Sequence, residues 1–312
     1  MLCGGIWPAL VTPLTTAGEV DVGATERLIE CLVAAGVRGL YVCGGTGEGV
    51  LLTASTRRDM ARAVIAAVGG RVPVMVHVGS VNQDEAVALA RDACAAGADA
   101  VSSVPPFYYG YRFGAIKAHY ERLAAASEKP LYLYYVPAST VSVSPEQLLE
   151  LCAIEGVEGF KYTSHDLVYL TTVLAKRSED TNIVSGPDEL LLPCLALGVD
   201  GAIGTTYNLM PRLDVDIFES VQAGDLAVAQ DLQRRANQVI DALRPYGVIP
   251  ATKATLGLLG LAVGQASRPL SQLGGDELGD LERDLLAAGF FDLVDRPACY
   301  PQPGDAMRGQ LA

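Results

Sequence analysis

Short apolar runs alternate with amphipathic helical stretches from the N-terminus to about residue 205, and this alternation constrains the fold more than any other feature. The strand candidates are 6–11, 39–43, 72–78, 100–104, 131–135, 157–161, 182–185 and 201–204. Helical periodicity fills the intervals, as at 22–35, 56–68, 83–96 and 113–127. The apolar runs are continuous rather than alternating, which marks strands buried on both faces, as in a parallel sheet. The helix ends repeat as well. Ala34-Ala35-Gly36, Ala95-Ala96-Gly97 and Ala196-Leu197-Gly198 each precede a strand, and each glycine suits a left-handed helix terminus. Eight such units predict an α/β chain folded as a (β/α)8 TIM barrel. A doubly wound open sheet is the alternative, but no GxGxxG follows the first strand.

Beyond residue 224 the strand pattern stops, and 225–243, 250–263 and 276–288 read as helices. We therefore expect a barrel domain over 1–223 and a C-terminal helical extension over 224–312, with a loosely ordered Pro- and Gly-rich tail from 295.

Bulk properties exclude several function classes. The formal charge of −13 disfavours nucleic acid and anionic membranes as partners, and an anionic substrate must then be met by local donors. No apolar run reaches the roughly 18 residues of a membrane span, and the start, Met1-Leu2-Cys3-Gly4-Gly5, lacks a basic leader region. The 7 cysteines are scattered without a CxxC pair, which predicts reduced thiols and a cytoplasmic location. The 3 histidines have no HExxH or paired spacing, so no metal site is expected.

In this architecture polar residues at the C-terminal strand ends face the active site. Lys161 closes the sixth strand after Val157-Glu158-Gly159-Phe160 and alone among the lysines ends an apolar strand. An amine desolvated in a barrel mouth can form an imine; the alternative is an exposed lysine in a strand–helix loop. Tyr134 and Tyr135 end the fifth strand, where a phenol can relay protons or simply pack. Gly44-Gly45-Thr46-Gly47-Glu48-Gly49 ends the second strand. Its backbone N–H groups and the Thr46 hydroxyl suit a carboxylate, and it lacks the Gly-Lys-Ser/Thr ending of a nucleotide loop. Gly186-Pro187-Asp188-Glu189 and Gly204-Thr205-Thr206-Tyr207-Asn208 end the last two strands. Their acids and hydroxyls suit a polyhydroxylated substrate, although Asp188 and Glu189 also fit the first turn of a helix.

Together these segments resemble the dihydrodipicolinate synthase / N-acetylneuraminate lyase family. The resemblance runs from Gly5 to about residue 292 and rests on Gly44-Gly45-Thr46-Gly47-Glu48, on Pro106-Phe107-Tyr108-Tyr109, on Tyr134-Tyr135-Val136-Pro137-Ala138, on Gly159-Phe160-Lys161-Tyr162-Thr163-Ser164 and on Gly204-Thr205-Thr206-Tyr207-Asn208. It implies a pyruvate-dependent class I aldolase without a cofactor, acting on a small 2-oxo acid and assembled as a homotetramer, a dimer of dimers. By the same resemblance Lys161 forms the imine and Tyr134 is the catalytic tyrosine. Gly45 and Thr46 hold the carboxylate, Tyr109 lies near a subunit contact, and Thr163, Gly186, Asp188, Glu189 and Thr205 complete the substrate site. Ser139 stands where the synthase branch carries an arginine, so the likeness leans to the neuraminate lyase branch. A 2-oxo-3-deoxy sugar acid aldolase or dehydratase shares the same catalytic residues. A non-catalytic 2-oxo acid sensor is the reading outside enzymes, and it has no need of an imine-forming lysine.

Overall fold

The structure is a computed structural model that describes residues 2–294. Eight strands form one parallel sheet: β1 (Gly5–Pro8), β2 (Leu40–Val42), β3 (Val74–His77), β4 (Ala100–Ser103), β5 (Leu131–Tyr135), β6 (Val157–Tyr162), β7 (Asn182–Ser185) and β8 (Gly201–Gly204). Their order is β1-β8-β7-β6-β5-β4-β3-β2. The two remaining edges meet through a bridge between Ala9 and Tyr41 and a 2.8 Å bond from Leu10 N–H to Tyr41 O, which closes a (β/α)8 barrel.

The helices α1 (Val22–Ala34), α2 (Ala54–Val68), α3 (Gln83–Ala96), α4 (Phe113–Ala126), α5 (Pro145–Cys152), α6 (Leu167–Lys176), α7 (Leu191–Leu197) and α8 (Pro211–Ala223) follow the strands in turn. Local chemistry sets their ends. Asp21, Thr53, Asn82, Ser144 and Asp166 accept hydrogen bonds from first-turn N–H groups. Gly97 and Gly198 end their helices at φ 97° and 100°, as the repeated Ala-Ala-Gly and Ala-Leu-Gly segments predict.

Two apolar cores result. Outward side chains such as Ile6, Val42, Val76, Leu133 and Phe160 pack under the helices. Inward ones, including Trp7, Tyr41, Met75, Ala100, Tyr132, Val184 and Ile203, fill the barrel. Polar closure lies at the base, where Asn182 Oδ1 accepts from Cys3 N–H and the Tyr132 hydroxyl, both at 2.9 Å.

The extension comprises α9 (Leu226–Leu243), α10 (Val248–Leu258), α11 (Gly275–Ala287) and a short α12 (Phe290–Leu293). Two expected boundaries are corrected. The helix expected to run to 263 stops at Leu258, because Gly260 takes φ 89° and the Val263 carbonyl accepts from Leu14 N–H. The first strand stops at Pro8 rather than 11, because Val11 N–H turns to the Asn208 side chain. The expected tail from 295 lies outside the described residues. Among the described residues no helix is long and apolar enough to cross a membrane.

Candidate active site

Lys161 and Tyr134 are register partners on β6 and β5, and both face the barrel mouth. A bulge creates this alignment. Leu131 pairs with Val157 but Tyr132 pairs with Gly159, so Glu158 is skipped and the strands shift by one residue. The Lys161 side chain is 5% exposed, with Nζ 4.6 Å from the Tyr134 ring centre and 5.0 Å from that of Tyr41. The faces of two aromatic rings accommodate a cation while leaving its N–H groups unused. Among the described residues no hydrogen bond or ion pair holds Lys161 Nζ. The other buried lysine, Lys253, has three oxygen partners: Thr12 O, Glu48 Oε1 and Gln265 O, at 2.8–2.9 Å. Of these two buried lysines, Lys161 alone keeps its amine available for bonding to a ligand.

The Gly-rich loop lies across the mouth from this lysine. Thr46 Oγ1 is 2.7 Å from Thr205 Oγ1, which ties the ends of the second and eighth strands. Gly45 faces the Tyr134 hydroxyl: a Cβ there would sit 4.0 Å from the phenol oxygen, so the missing side chain leaves room between loop and tyrosine. Tyr135 does not share the site. It points outward and stacks on Tyr162 and Tyr169, with ring centres 5.7 and 5.2 Å away.

Thr163 and Gly186 meet beside the lysine. A Cβ on Gly186 would collide with Thr163 Oγ1 and approach Lys161 Cε to 3.0 Å. Thr163 Oγ1 is buried without a hydrogen-bond partner, an unused donor and acceptor next to the amine.

The two acids part company. Asp188 is buried against Gly204, and its Oδ2 accepts from Thr206 N–H (2.7 Å) and Oγ1 (2.8 Å). Burial pushes its carboxyl up to about 6, against the opposing hydrogen bonds from Thr206 and the charge of Lys161. Glu189 sits at the rim between His165 Nε2 (3.0 Å) and Arg244 (2.9 Å). Partial burial raises its pKa, but the hydrogen bonds from its own backbone N–H and His165, with the charge of Arg244, outweigh it and hold the carboxyl below the usual range.

Tyr109 does not join this group. It lies between β4 and α4, 68% exposed, with its ring against Tyr108 (4.9 Å) and Tyr111 (6.3 Å). Several residues escaped sequence reasoning. Tyr41 floors the site, and its inward parity on β2 was the available signal. His77 links three strands, through Cys43 O at 3.2 Å and Val104 N–H at 3.2 Å. Burial and the charges of Arg57 and Lys161 push its pKa down to about 3, so it stays neutral. His165, Arg244 and Lys253 come from a loop, a 3-10 turn and α10, and nothing local marks them.

Known proteins resemble this chain in sequence and fold. The sequence model of the dihydrodipicolinate synthetase family matches residues 2–288. The N-acetylneuraminate lyase of Rhizobium meliloti (strain 1021) is 37% identical over 269 residues, 86% of this chain and 90% of that protein. The 4-hydroxy-tetrahydrodipicolinate synthase of Salinibacter ruber is 36% identical over 301 residues, 95% of this chain and 97% of that protein. Among solved structures, CdNal from Clostridium difficile in complex with mannosamine superposes with a TM-score of 0.88 at 29% identity, covering 91% of this chain and 99% of that one. The two kinds of relative stand at nearly equal identity.

Proposed function

The chain belongs to the dihydrodipicolinate synthetase family of class I, pyruvate-dependent carbon–carbon lyases, and we propose that it cleaves a 2-oxo sugar acid through an imine at Lys161, with N-acetylneuraminate as the leading substrate. The observation that carries this reading is the pairing of an unengaged buried lysine with Tyr134 in one register, facing the Thr46 loop.

In the proposed cycle the Lys161 amine attacks the C2 carbonyl of the open-chain sugar acid and loses water to form an iminium. Gly45 and Thr46 donate to the C1 carboxylate. Tyr134, having given its own proton to the departing water, takes the proton of the C4 hydroxyl as a phenolate, the C3–C4 bond breaks, and the electron pair moves into the iminium to give an enamine and an aldehyde. Protonation at C3 and hydrolysis release pyruvate and regenerate the amine. Positioned proton transfer of this kind is worth on the order of 10²–10⁴ in rate.

Asp188, Thr205 and the rim residue Glu189 are suited to the hydroxyls of a long substrate, and the similarity to N-acetylneuraminate lyases supports that choice. The similarity to a 4-hydroxy-tetrahydrodipicolinate synthase across 95% of the chain supports a second reading, condensation of pyruvate with an aldehyde in the reverse sense. Smaller 2-oxo-3-deoxy acids use the same catalytic set. The exposed Tyr108 and Tyr109 pair suits a contact between copies in the expected homotetramer. Free thiols at Cys3, Cys43, Cys94, Cys152 and Cys194 fit a cytoplasmic protein.

The test is pyruvate release from a panel of N-acetylneuraminate, 2-oxo-3-deoxygluconate, 2-oxo-3-deoxygalactonate and 4-hydroxy-2-oxoglutarate, with a synthesis assay on aspartate semialdehyde. Release from the nine-carbon sugar well above the others supports the leading reading. Activity on a smaller acid alone overturns it.

A further inference from the structure

The Gly-rich loop is held from behind by a charge pair that the reaction scheme does not use. Glu48 and Lys253 are 205 residues apart, their side chains are 0% and 1% exposed, and Nζ lies 2.9 Å from Oε1. Burying two charges costs more than an apolar pair of the same volume, so such a pair is weak support for stability and is better read through the geometry it imposes. Here that geometry is complete. The three ammonium protons of Lys253 go to Glu48, Thr12 O and Gln265 O. The second Glu48 oxygen accepts from Ser267 N–H.

The loop needs this grip. Glu48 takes φ 59°, a left-handed conformation that is strained for a residue with a side chain and persists only where its surroundings enforce it. Thr12 Oγ1 adds a 2.6 Å bond to Gly47 O. With Gly47 and Glu48 fixed from outside, Gly45 and Thr46 turn inward toward Tyr134 and Thr205.

We infer that the Lys253–Glu48 pair is a positioning device that presets the carboxylate-facing backbone of Gly45 and Thr46, so that binding of the 2-oxo acid depends on the C-terminal helical extension. The inference rests on the reading above that this loop receives the carboxylate. Lys253 touches no substrate and acts through the loop. Because coupling is reciprocal, a ligand that orders the loop must also steady the segments that clamp it.

The experiment is borohydride trapping of pyruvate at Lys161 over a range of pyruvate concentrations, in the full chain and in Glu48→Gln and Lys253→Met. Circular dichroism checks the fold. Glu48→Gln keeps the shape and one acceptor for Lys253 but removes the charge. The expected result is a half-saturating pyruvate concentration raised about tenfold, with the maximal trapping rate changed much less. Unchanged half-saturation together with a lowered Tm makes the pair merely structural and overturns the inference. Hydrogen–deuterium exchange in the unaltered chain carries the same test if neither variant folds. Trapped pyruvate should slow exchange in 248–258 and 265–268, and equal exchange with and without pyruvate overturns the inference. Absence of any trapping at Lys161 in the unaltered chain instead overturns the functional reading itself.

Discussion

Lys161 Nζ lies 4.6 Å from the centre of the Tyr134 ring, and the two residues are direct partners across β5 and β6. The nucleophile and the phenol therefore ride on one rigid sheet rather than on separate loops. Neighbouring strands keep such a pair in place without a closing motion, which suits the near-attack geometry that an imine and its proton relay require.

The first prediction is a covalent adduct at Lys161. After incubation with pyruvate and borohydride, peptide mass spectrometry should find the added mass on the peptide containing Lys161 and not on that containing Lys253, whose donors are all engaged. Label on Lys253, or on no lysine, removes the basis of the mechanism.

Tyr134→Phe removes the relay while leaving the ring that faces the amine. Turnover should fall by roughly 10²-fold or more, with pyruvate still trapped at a reduced rate. Near-normal turnover in this variant would mean that another group moves the proton.

Thr46→Val tests the carboxylate site. A hydrogen bond to a charged group contributes about 1.5–3 kcal/mol, so KM should rise roughly tenfold to a hundredfold for every 2-oxo acid, long or short. The Thr46–Thr205 bond is lost as well. A penalty confined to long substrates would place the hydroxyl in the sugar site instead.

Asp188 provides a pH signature. Burial holds the proton of folded Asp188 up to about 6, whereas the ordinary value for the free side chain is 3.8. The folded state thus binds more protons between these values, and the stability owed to this group falls as pH rises through that window. Asp188→Asn should flatten that part of the Tm–pH curve. If the ionised carboxylate accepts from sugar hydroxyls, kcat/KM for N-acetylneuraminate should rise through an ionisation near 6 that the variant lacks. The same rising limb in Asp188→Asn would assign the ionisation elsewhere.

Glu189 tests the branch. Its Oε1 alone meets both His165 and Arg244, so it is the acid more readily re-aimed toward a substrate. Glu189→Gln should lower kcat/KM for N-acetylneuraminate by roughly tenfold while sparing 4-hydroxy-2-oxoglutarate. Equal losses on both substrates, with a lower Tm, would make it a support for the following helix only.

Much of this protein is written in local pattern. Continuous apolar runs, helix-capping residues and the glycines after Ala35, Ala96 and Leu197 each act within a few residues, so eight βα units and their order can be read before any contact is known. The strand-end positions of Lys161, Tyr134, Thr46, Asp188 and Glu189 follow from the same pattern, because strand ends define one face of such a barrel. Tertiary structure decided what depends on partners far apart in the chain. Without the bulge at Glu158, continuing the pairing of Leu131 with Val157 would set Tyr134 opposite Phe160, which packs outward. Strand register is a property of two strands, and no single run of residues encodes it. The choice of Tyr134 over Tyr135 as the inward phenol, the separation of Asp188 from Glu189, and the clamp from Lys253 to Glu48 arise in the same way. The phenol is settled by register, and the other two by which groups are left to share hydrogen bonds once the barrel has closed, since a buried charge or hydroxyl takes whatever partner the closed barrel brings within reach.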